Sequence, residues 1–252
     1  MVHVVAPAAS LEVLRVAEPD VQTREQSFGT ALSSDVMALI ASADVVIVGP
    51  GLGRAPDRQA LVIQVLTHAR TAVIDADALI ALKGELPTLA TLAASRSIVC
   101  TPHFGEFRAL FGEFADDLET APWEAAQNAT AASHCTILLK GVPTVVASGG
   151  EPLLTVAAGN PGLATGGSGD VLSGILGALR AQGIVLPDAA AMAAQALGEA
   201  ADHAARRVTA RALRPMDVVA ALPDVWRAWA RRREDQASQA PVLCDLPAPQ
   251  SI

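Results

Sequence analysis

The chain has 252 residues, a length that one α/β domain can fill, with 51% apolar residues, only 3% aromatic ones and no tyrosine. Alanine, valine and leucine must therefore fill the interior, which favours helices packed closely on a sheet over an aromatic-rich sandwich. The net charge of −8 repels a polyphosphate backbone and argues against nucleic acid as a partner, while a small anion held by a few backbone amides stays compatible with it.

In chain order, residues 3–7 (HVVAP) read as a first strand. Residues 45–48 (VVIV) read as a second, ending in Gly49-Pro50-Gly51, with a helix expected over 58–69. Residues 72–75 (AVID) are again strand-like and 78–83 helical. Residues 97–100 (SIVC) make another strand, followed by a helix over 106–111. These runs are continuously apolar rather than alternating, as in strands buried on both faces of a parallel sheet. Their alternation with helices predicts a doubly wound α/β architecture. The segment 116–122 reads as a loop.

Three short strands follow at 136–140 (TILLK), 144–147 (TVVA) and 153–156 (LLTV), separated by Gly/Pro turns. That spacing predicts an antiparallel meander at one edge of the sheet. A helix with a 3.6-residue apolar period is expected over 170–182, and a long alanine-rich one over 187–205 opened by Pro187. The latter has two readings, an oligomer interface or a cover for the sheet. Another helix starts at Pro215 and runs towards Leu222. The charged, then proline-containing segment 231–252 reads as a mobile tail without catalytic role, leaving 1–230 as one domain.

Cys100, Cys135 and Cys244 have no metal-site or disulfide spacing, so they read as reduced thiols of a cytoplasmic protein, the first two as small buried hydrophobes. No apolar run is long enough for a membrane span. The opening residues lack the basic-then-apolar pattern of a secretory signal.

The segment that carries chemistry is Gly159-Asn160-Pro161-Gly162-Leu163-Ala164-Thr165-Gly166-Gly167-Ser168-Gly169-Asp170. Five glycines in eleven residues are costly to order, and a helix cap needs one. Placed before a helix N-terminus, they let free amides and the helix dipole close on an anion, making Gly166, Gly167, Ser168 and Gly169 a candidate anion hole. Asp170, at its mouth, is an ordinary cap by itself; beside a phosphoryl group it is a candidate general base.

Other strand ends carry polar candidates. Gly49, Gly51 and Gly53 permit close backbone approach where ligands bind in open sheets, or form a plain turn. His103 can donate to a phosphate or ribose, or cap the next helix. Glu106 suits a first helical turn and is a candidate magnesium ligand. Asp75 and Asp77 can bind a hydroxyl or metal-bound water, or cap a loop. Lys140 can meet a nucleotide phosphate as a mobile charge, or simply be solvated.

Four motifs in one order, VGPGLG at 48–53, TPHFGEF at 101–107, LKGVPT at 139–144 and NPGLATGGSGDVLSG at 160–174, resemble the ADP/ATP-dependent NAD(P)H-hydrate dehydratases of the ribokinase-like superfamily. The resemblance covers 45–180 and, through flanking helices, extends to about Trp226. It implies a three-layer sandwich with a central, mostly parallel sheet and helices on both faces. It implies a carbon–oxygen lyase that uses ADP or ATP, with Mg2+, to phosphorylate the hydroxyl of a damaged NAD(P)H hydrate and eliminate phosphate. By the same resemblance, Gly51, Gly53, His103 and Asp170 contact the hydrate, and Lys140, Gly141, Val142, Pro143, Thr144 and Gly169 contact the adenine nucleotide. A cytoplasmic homo-oligomer, a tetramer in relatives, is also implied. Two departures stand out. Residues 3–7 look like the family's second strand rather than its first, and the tyrosine of the family's first turn has no counterpart here. Two alternatives therefore accompany the reading: a ribokinase-like kinase of a thiazole or pyrimidine alcohol, and an impaired nucleotide binder.

Overall fold

The computed structural model describes residues 1–29 and 31–238. The chain opens with β1 (His3–Ala6), α1 (Ala8–Ala17) and β2 (Gln22–Glu25). The two strands run parallel, His3 opposite Gln22, and form a two-stranded sheet of their own. Then follow α2 (Ser34–Ser42), β3 (Val46–Val48), α3 (Arg58–His68), β4 (Thr71–Ile74), α4 (Asp77–Ala81), α5 (Leu86–Ala93), β5 (Ser97–Cys100), α6 (Phe104–Leu110) and α7 (Pro122–Ser133). The remaining elements are β6 (Thr136–Leu139), β7 (Thr144–Ala147), β8 (Leu154–Val156), α8 (Ser168–Ala181), α9 (Leu186–Val208) and α10 (Pro215–Ser238).

Strands β3 to β8 form one six-stranded sheet in the order in which they occur along the chain. β3 to β6 are parallel, and β7 and β8 add antiparallel at the edge, as the meander spacing predicts.

The period-2 alternation of each strand sorts its side chains into two cores. Ala72, Ile74, Ile98, Cys100, Ile137, Leu139, Val145 and Ala147 pack with the helices α2 to α7 on one face. Val73, Val99, Leu138, Val146 and Val156 pack with α8 to α10 on the other. Both faces of the sheet are covered, which is why its strands read as continuous apolar runs. Each fully buried valine or leucine contributes about 1.5–3 kcal/mol.

The expected double winding is not what forms. The strand order never reverses, so right-handed crossovers moving in one direction place their helices on a single face. The second layer comes from α8, α9 and α10, after the sheet is complete. The helix expected over 187–205 is α9. It buries Ala189, Ala190, Ala193, Ala196, Ala200 and Ala201 against the sheet and its helical neighbours, so it covers the sheet.

Helices α5 and α7 are not among the elements expected from the sequence, although α5 packs Leu86, Leu89, Leu92 and Ala93 on the core. The buried face of α7 is Ala125, Ala126, Ala129, Thr130 and Ser133, small groups whose period is faint in hydrophobicity. α10 runs through Ser238, into the segment read as a tail. Residues 239–252, with Cys244, lie outside the described residues. Cys100 and Cys135 are free and buried. Among the described residues, no helix is long and apolar enough to cross a membrane.

Candidate active site

The four parallel strands deliver the Gly49 turn, Asp75, the His103 segment and Lys140 to one edge. Beyond the strand ends the ladder continues: Asp75 N donates to Val48 O (3.1 Å), Thr101 N to Ile74 O (3.0 Å) and Lys140 N to Pro102 O (2.8 Å). His103 and Lys140 add an isolated parallel bridge. Gly49, Asp75, His103 and Lys140 therefore stand side by side. Gly49 has φ +129°, and a Cβ on it would lie 1.7 Å from the Asp75 carbonyl oxygen. Only glycine lets the two strand ends come this close.

Asp75 is 1% exposed. Its Oδ1 accepts from Lys140 Nζ at 2.8 Å and its Oδ2 from Ser173 Oγ on α8 at 2.8 Å. The next residue, Ala76, holds φ +49°, ψ −124°, a region that costs an alanine on the order of 1–3 kcal/mol. That bend sends Asp77 to a different task. Its Oδ2 accepts from Gly53 N (3.0 Å) and its Oδ1 from Arg54 Nε (2.9 Å), which ties down the turn carrying Gly51 and Gly53. Arg58 holds the same turn from behind through Leu52 O (2.9 Å) while reaching Phe28 O (2.8 Å).

His103 caps α6. Its Nδ1 accepts from Gly105 N and Glu106 N, and Glu106 Oε2 accepts in return from His103 N at 2.8 Å, a reciprocal capping box. With Nδ1 accepting, a neutral His103 carries its proton on the exposed Nε2 side, 3.4 Å from Glu106 Oε1. Glu106 Oε2 is also 3.4 Å from Lys140 Nζ. Both oxygens of this magnesium candidate are thus already partnered. Among the described residues, no cluster of three or more His, Cys, Asp or Glu could hold a metal ion.

The glycine-rich turn opens α8 against these strand ends. Val171 N closes on Gly167 O (3.1 Å) and Ser168 N on Thr165 O (3.3 Å), so the Gly169 and Asp170 amides lie in the turn whose donors face out of the helix end. Ser168 is buried, and its Oγ has no hydrogen-bond partner. An orphan hydroxyl of this kind is costly, and a bound anion would satisfy it. A Cβ on Gly169 would lie 3.3 Å from Lys140 Nζ and 3.6 Å from Asp75 Oδ2. Asp170 is exposed at this mouth. Loss of solvent holds its carboxyl above the usual aspartate value, the Asp75 charge adds to this, and the Lys140 ammonium opposes both.

The structure thus brings together Lys140, Gly169, Asp170, Glu106 and His103, with Gly51 and Gly53 joined through Asp77. The loop Gly141–Thr144 stands apart. Gly141 and Val142 are exposed, Thr144 Oγ1 bonds Gly141 O, and Phe104 lies against Gly141. Ser173 went unnoticed in the sequence, although its spacing from Gly169 and Asp170 puts it on the same side of the helix. An apolar groove of about 550 Å³ lined by α8 and α10 residues such as Val171, Ile175, Val219 and Trp226 uses a different face of α8 from Gly169 and Ser173 and is not this site.

The family model described as NAD(P)H-hydrate dehydratase matches residues 1–224. A bifunctional NAD(P)H-hydrate repair enzyme of Moorella thermoacetica is 39% identical over 202 residues, 78% of this chain and 38% of that protein. An ADP-dependent (S)-NAD(P)H-hydrate dehydratase of Neisseria meningitidis is 34% identical over 172 residues, 68% of this chain and 58% of that one. The chain thus spans under two thirds of the length of these curated relatives. The solved ADP/ATP-dependent NAD(P)H-hydrate dehydratase of Bacillus subtilis, crystallised with ATP and Mg2+, superposes with TM-score 0.68 at 24% identity, covering 88% of this chain and 76% of that one. The fold is the ribokinase-like three-layer sandwich, and the chain belongs to the NAD(P)H-hydrate dehydratase family.

Proposed function

We propose that this chain catalyses the nucleotide-dependent dehydration of NAD(P)H hydrate, transferring a phosphoryl group from ADP or ATP to the ring hydroxyl and then eliminating phosphate. The observation that carries this reading is the start of α8. There the Gly169 and Asp170 amides, the orphan Ser168 hydroxyl and the Asp170 carboxylate converge beside Lys140. In this reading Asp170 takes the proton of the attacking hydroxyl, and its raised proton affinity suits that task. The Gly166, Gly167 and Gly169 amides, the Ser168 hydroxyl and the Lys140 ammonium meet the charge that develops on the transferred group. His103, Gly51 and Gly53 bind the hydrate at the ends of β3 and β5. Gly141, Val142, Pro143 and Thr144 bind the nucleotide from the β6–β7 loop.

Mg2+ fits this site as an ion carried by nucleotide phosphates, since the described residues supply no cage for it; when bound it spreads the phosphate charge. In this reading Glu106 remains the α6 cap. We extend the proposal to one domain over 1–230, supported by Val5 and Phe28 packing on the main core. Exposed Met216, Val219 and Trp226 on α10 support a homo-oligomer, and the free thiols Cys100 and Cys135 support a cytoplasmic setting.

The test is absorbance at 340 nm on NADH hydrate and NADPH hydrate with Mg2+, with ADP and ATP supplied separately. A nucleotide-dependent rise with release of inorganic phosphate is expected, and Asp170→Asn should abolish the rise while sparing nucleotide binding. Binding without turnover, or a stable phosphorylated product from an alcohol, would overturn the proposal.

A further inference from the structure

The most buried charge at the strand ends belongs to a residue that the mechanism above does not use. Asp75 is 1% exposed, yet it sits where ligands approach. A carboxylate taken this far from water is held only by what it touches. It touches Lys140 Nζ at 2.8 Å through one oxygen and Ser173 Oγ at 2.8 Å through the other. The Lys140 ammonium is fixed a second time by Glu106, at 3.4 Å. Its flexible stem is thereby drawn to one place, above Gly169 in the first turn of α8. The positive φ of Ala76 keeps the preceding carboxylate turned inward while Asp77 faces the Gly53 turn.

We propose that Asp75 is a positioning residue for the phosphoryl step: by clamping Lys140 through Oδ1 and Ser173 through Oδ2, it sets the ammonium against the α8 turn that carries Asp170. This rests on the proposed function for its chemistry, but not for its geometry. A lysine is otherwise a mobile point charge. Fixed between two carboxylates, it stands ready to meet charge that appears on the transferred group without reorganising.

The arrangement has an electrostatic consequence. The charges that act on Asp170 are Asp75 at the end of β4 and Lys140 at the end of β6; behind them Glu106 of α6 faces Lys140, its cap residue His103 faces Glu106, and Asp77 and Arg54 pair with each other at the Gly53 turn. Loss of solvent raises the proton affinity of Asp170 most, the Asp75 charge adds to it and Lys140 lowers it. Replacing Asp75 by asparagine removes the raising charge and leaves the lowering one in place, held by Glu106. That single change lowers the proton affinity of Asp170, which must titrate at lower pH in the variant.

The experiment compares the full chain with Asp75→Asn, Ser173→Ala and Lys140→Arg. For Asp75→Asn we expect kcat to fall by about 100-fold, the size of a misplaced group about 1 Å from its productive position, with the KM for ADP within about 3-fold. The acid limb of the pH–rate profile should move to lower pH. Ser173→Ala cuts only the tether to α8 and should leave that limb in place. Lys140→Arg keeps the ion pair, and so the fold, but moves the charge; its kcat should fall with its melting temperature unchanged, which serves if Asp75→Asn does not fold. Carboxyl 13C titration of Asp170 in the ligand-free protein, identified against Asp170→Asn, reads the same shift without any turnover. If no dehydratase activity exists, the titration still tests the electrostatic coupling of Asp75 to Asp170 on which the arrangement depends. An Asp170 titration unmoved in Asp75→Asn, an unchanged kcat in Lys140→Arg, or a Ser173→Ala variant that reproduces Asp75→Asn would each overturn the proposal.

Discussion

Gly49 and Gly51 both have positive φ, +129° and +68°, and are two residues apart, yet alanine at the two positions should behave very differently. At Gly51 nothing lies within 4 Å of the added Cβ. The cost is that of a left-handed backbone, about 1–2 kcal/mol. At Gly49 the same atom would lie 1.7 Å from Asp75 O, 2.7 Å from Asp75 C and 3.0 Å from Ala78 Cβ. Two of these contacts are backbone, and the Val48–Asp75 hydrogen bond of 3.1 Å holds the strand ends together. Relief means parting β3 from β4 by more than an ångström. Overpacking of about 1–3 kcal/mol then adds to backbone strain of about 1–3 kcal/mol, for roughly 2–6 kcal/mol in all. At about 2–4 °C per kcal/mol for a chain of this size, Gly49→Ala should lower Tm by roughly 10 °C, and Gly51→Ala by only a few degrees. Urea unfolding of both variants beside the parent checks this. Equal losses at the two positions would refute the claim that close approach to Asp75, rather than φ alone, requires glycine at Gly49.

Gly169→Ala should do the reverse and keep stability within about 1 kcal/mol, because its Cβ meets the flexible tip of Lys140 at 3.3 Å and Asp75 Oδ2 at an ordinary contact distance of 3.6 Å, and alanine suits a helix; turnover should nevertheless fall, and a fully active variant would argue against an anion site at this turn. The kcat/KM of the dehydration should decline as pH falls through the raised value of Asp170, so its acid limb should lie above that of a free aspartate; a limb at the ordinary carboxylate position would remove Asp170 as base. Gly198→Ala on α9 places a Cβ 2.4 Å from Ala158 C, and a loss of about 1–3 kcal/mol in denaturant titration is expected. Glu199 is raised by burial, but hydrogen bonds from Gln195, Trp229 and Arg232 outweigh this and leave its pKa lowered. Its contribution is therefore present above the unfolded glutamate value of about 4.3 and lost as pH falls through the folded one. Unfolding followed by tryptophan fluorescence should show α9–α10 docking weaken in that acid window, and Glu199→Gln should flatten the dependence.

What the sequence made legible follows from which forces act locally. VVIV, AVID, SIVC and TILLK each announce a strand because both faces of the sheet are buried, and the glycines after VVIV and TILLK announce strand ends. The α8 turn was readable for the same reason, since five glycines serve no ordinary cap. α7 was not, because alanine, threonine and serine form its buried face. The winding was not either: alternation of strands and helices is the same whether the strand order reverses or not. That order is also what decided the site. Because β3 to β6 are laid down side by side in sequence, their motifs meet in chain order, and α8 returns against β3 and β4 with its first turn beside Lys140. Asp75 was visible as a strand-end acid, but its partners are 65 and 98 residues away. No local pattern distinguishes a loop cap from a clamp at that range. Only the neighbouring of β4 with α8, and the reach of Lys140 from β6 across β5, let Asp75 touch both sides of the site.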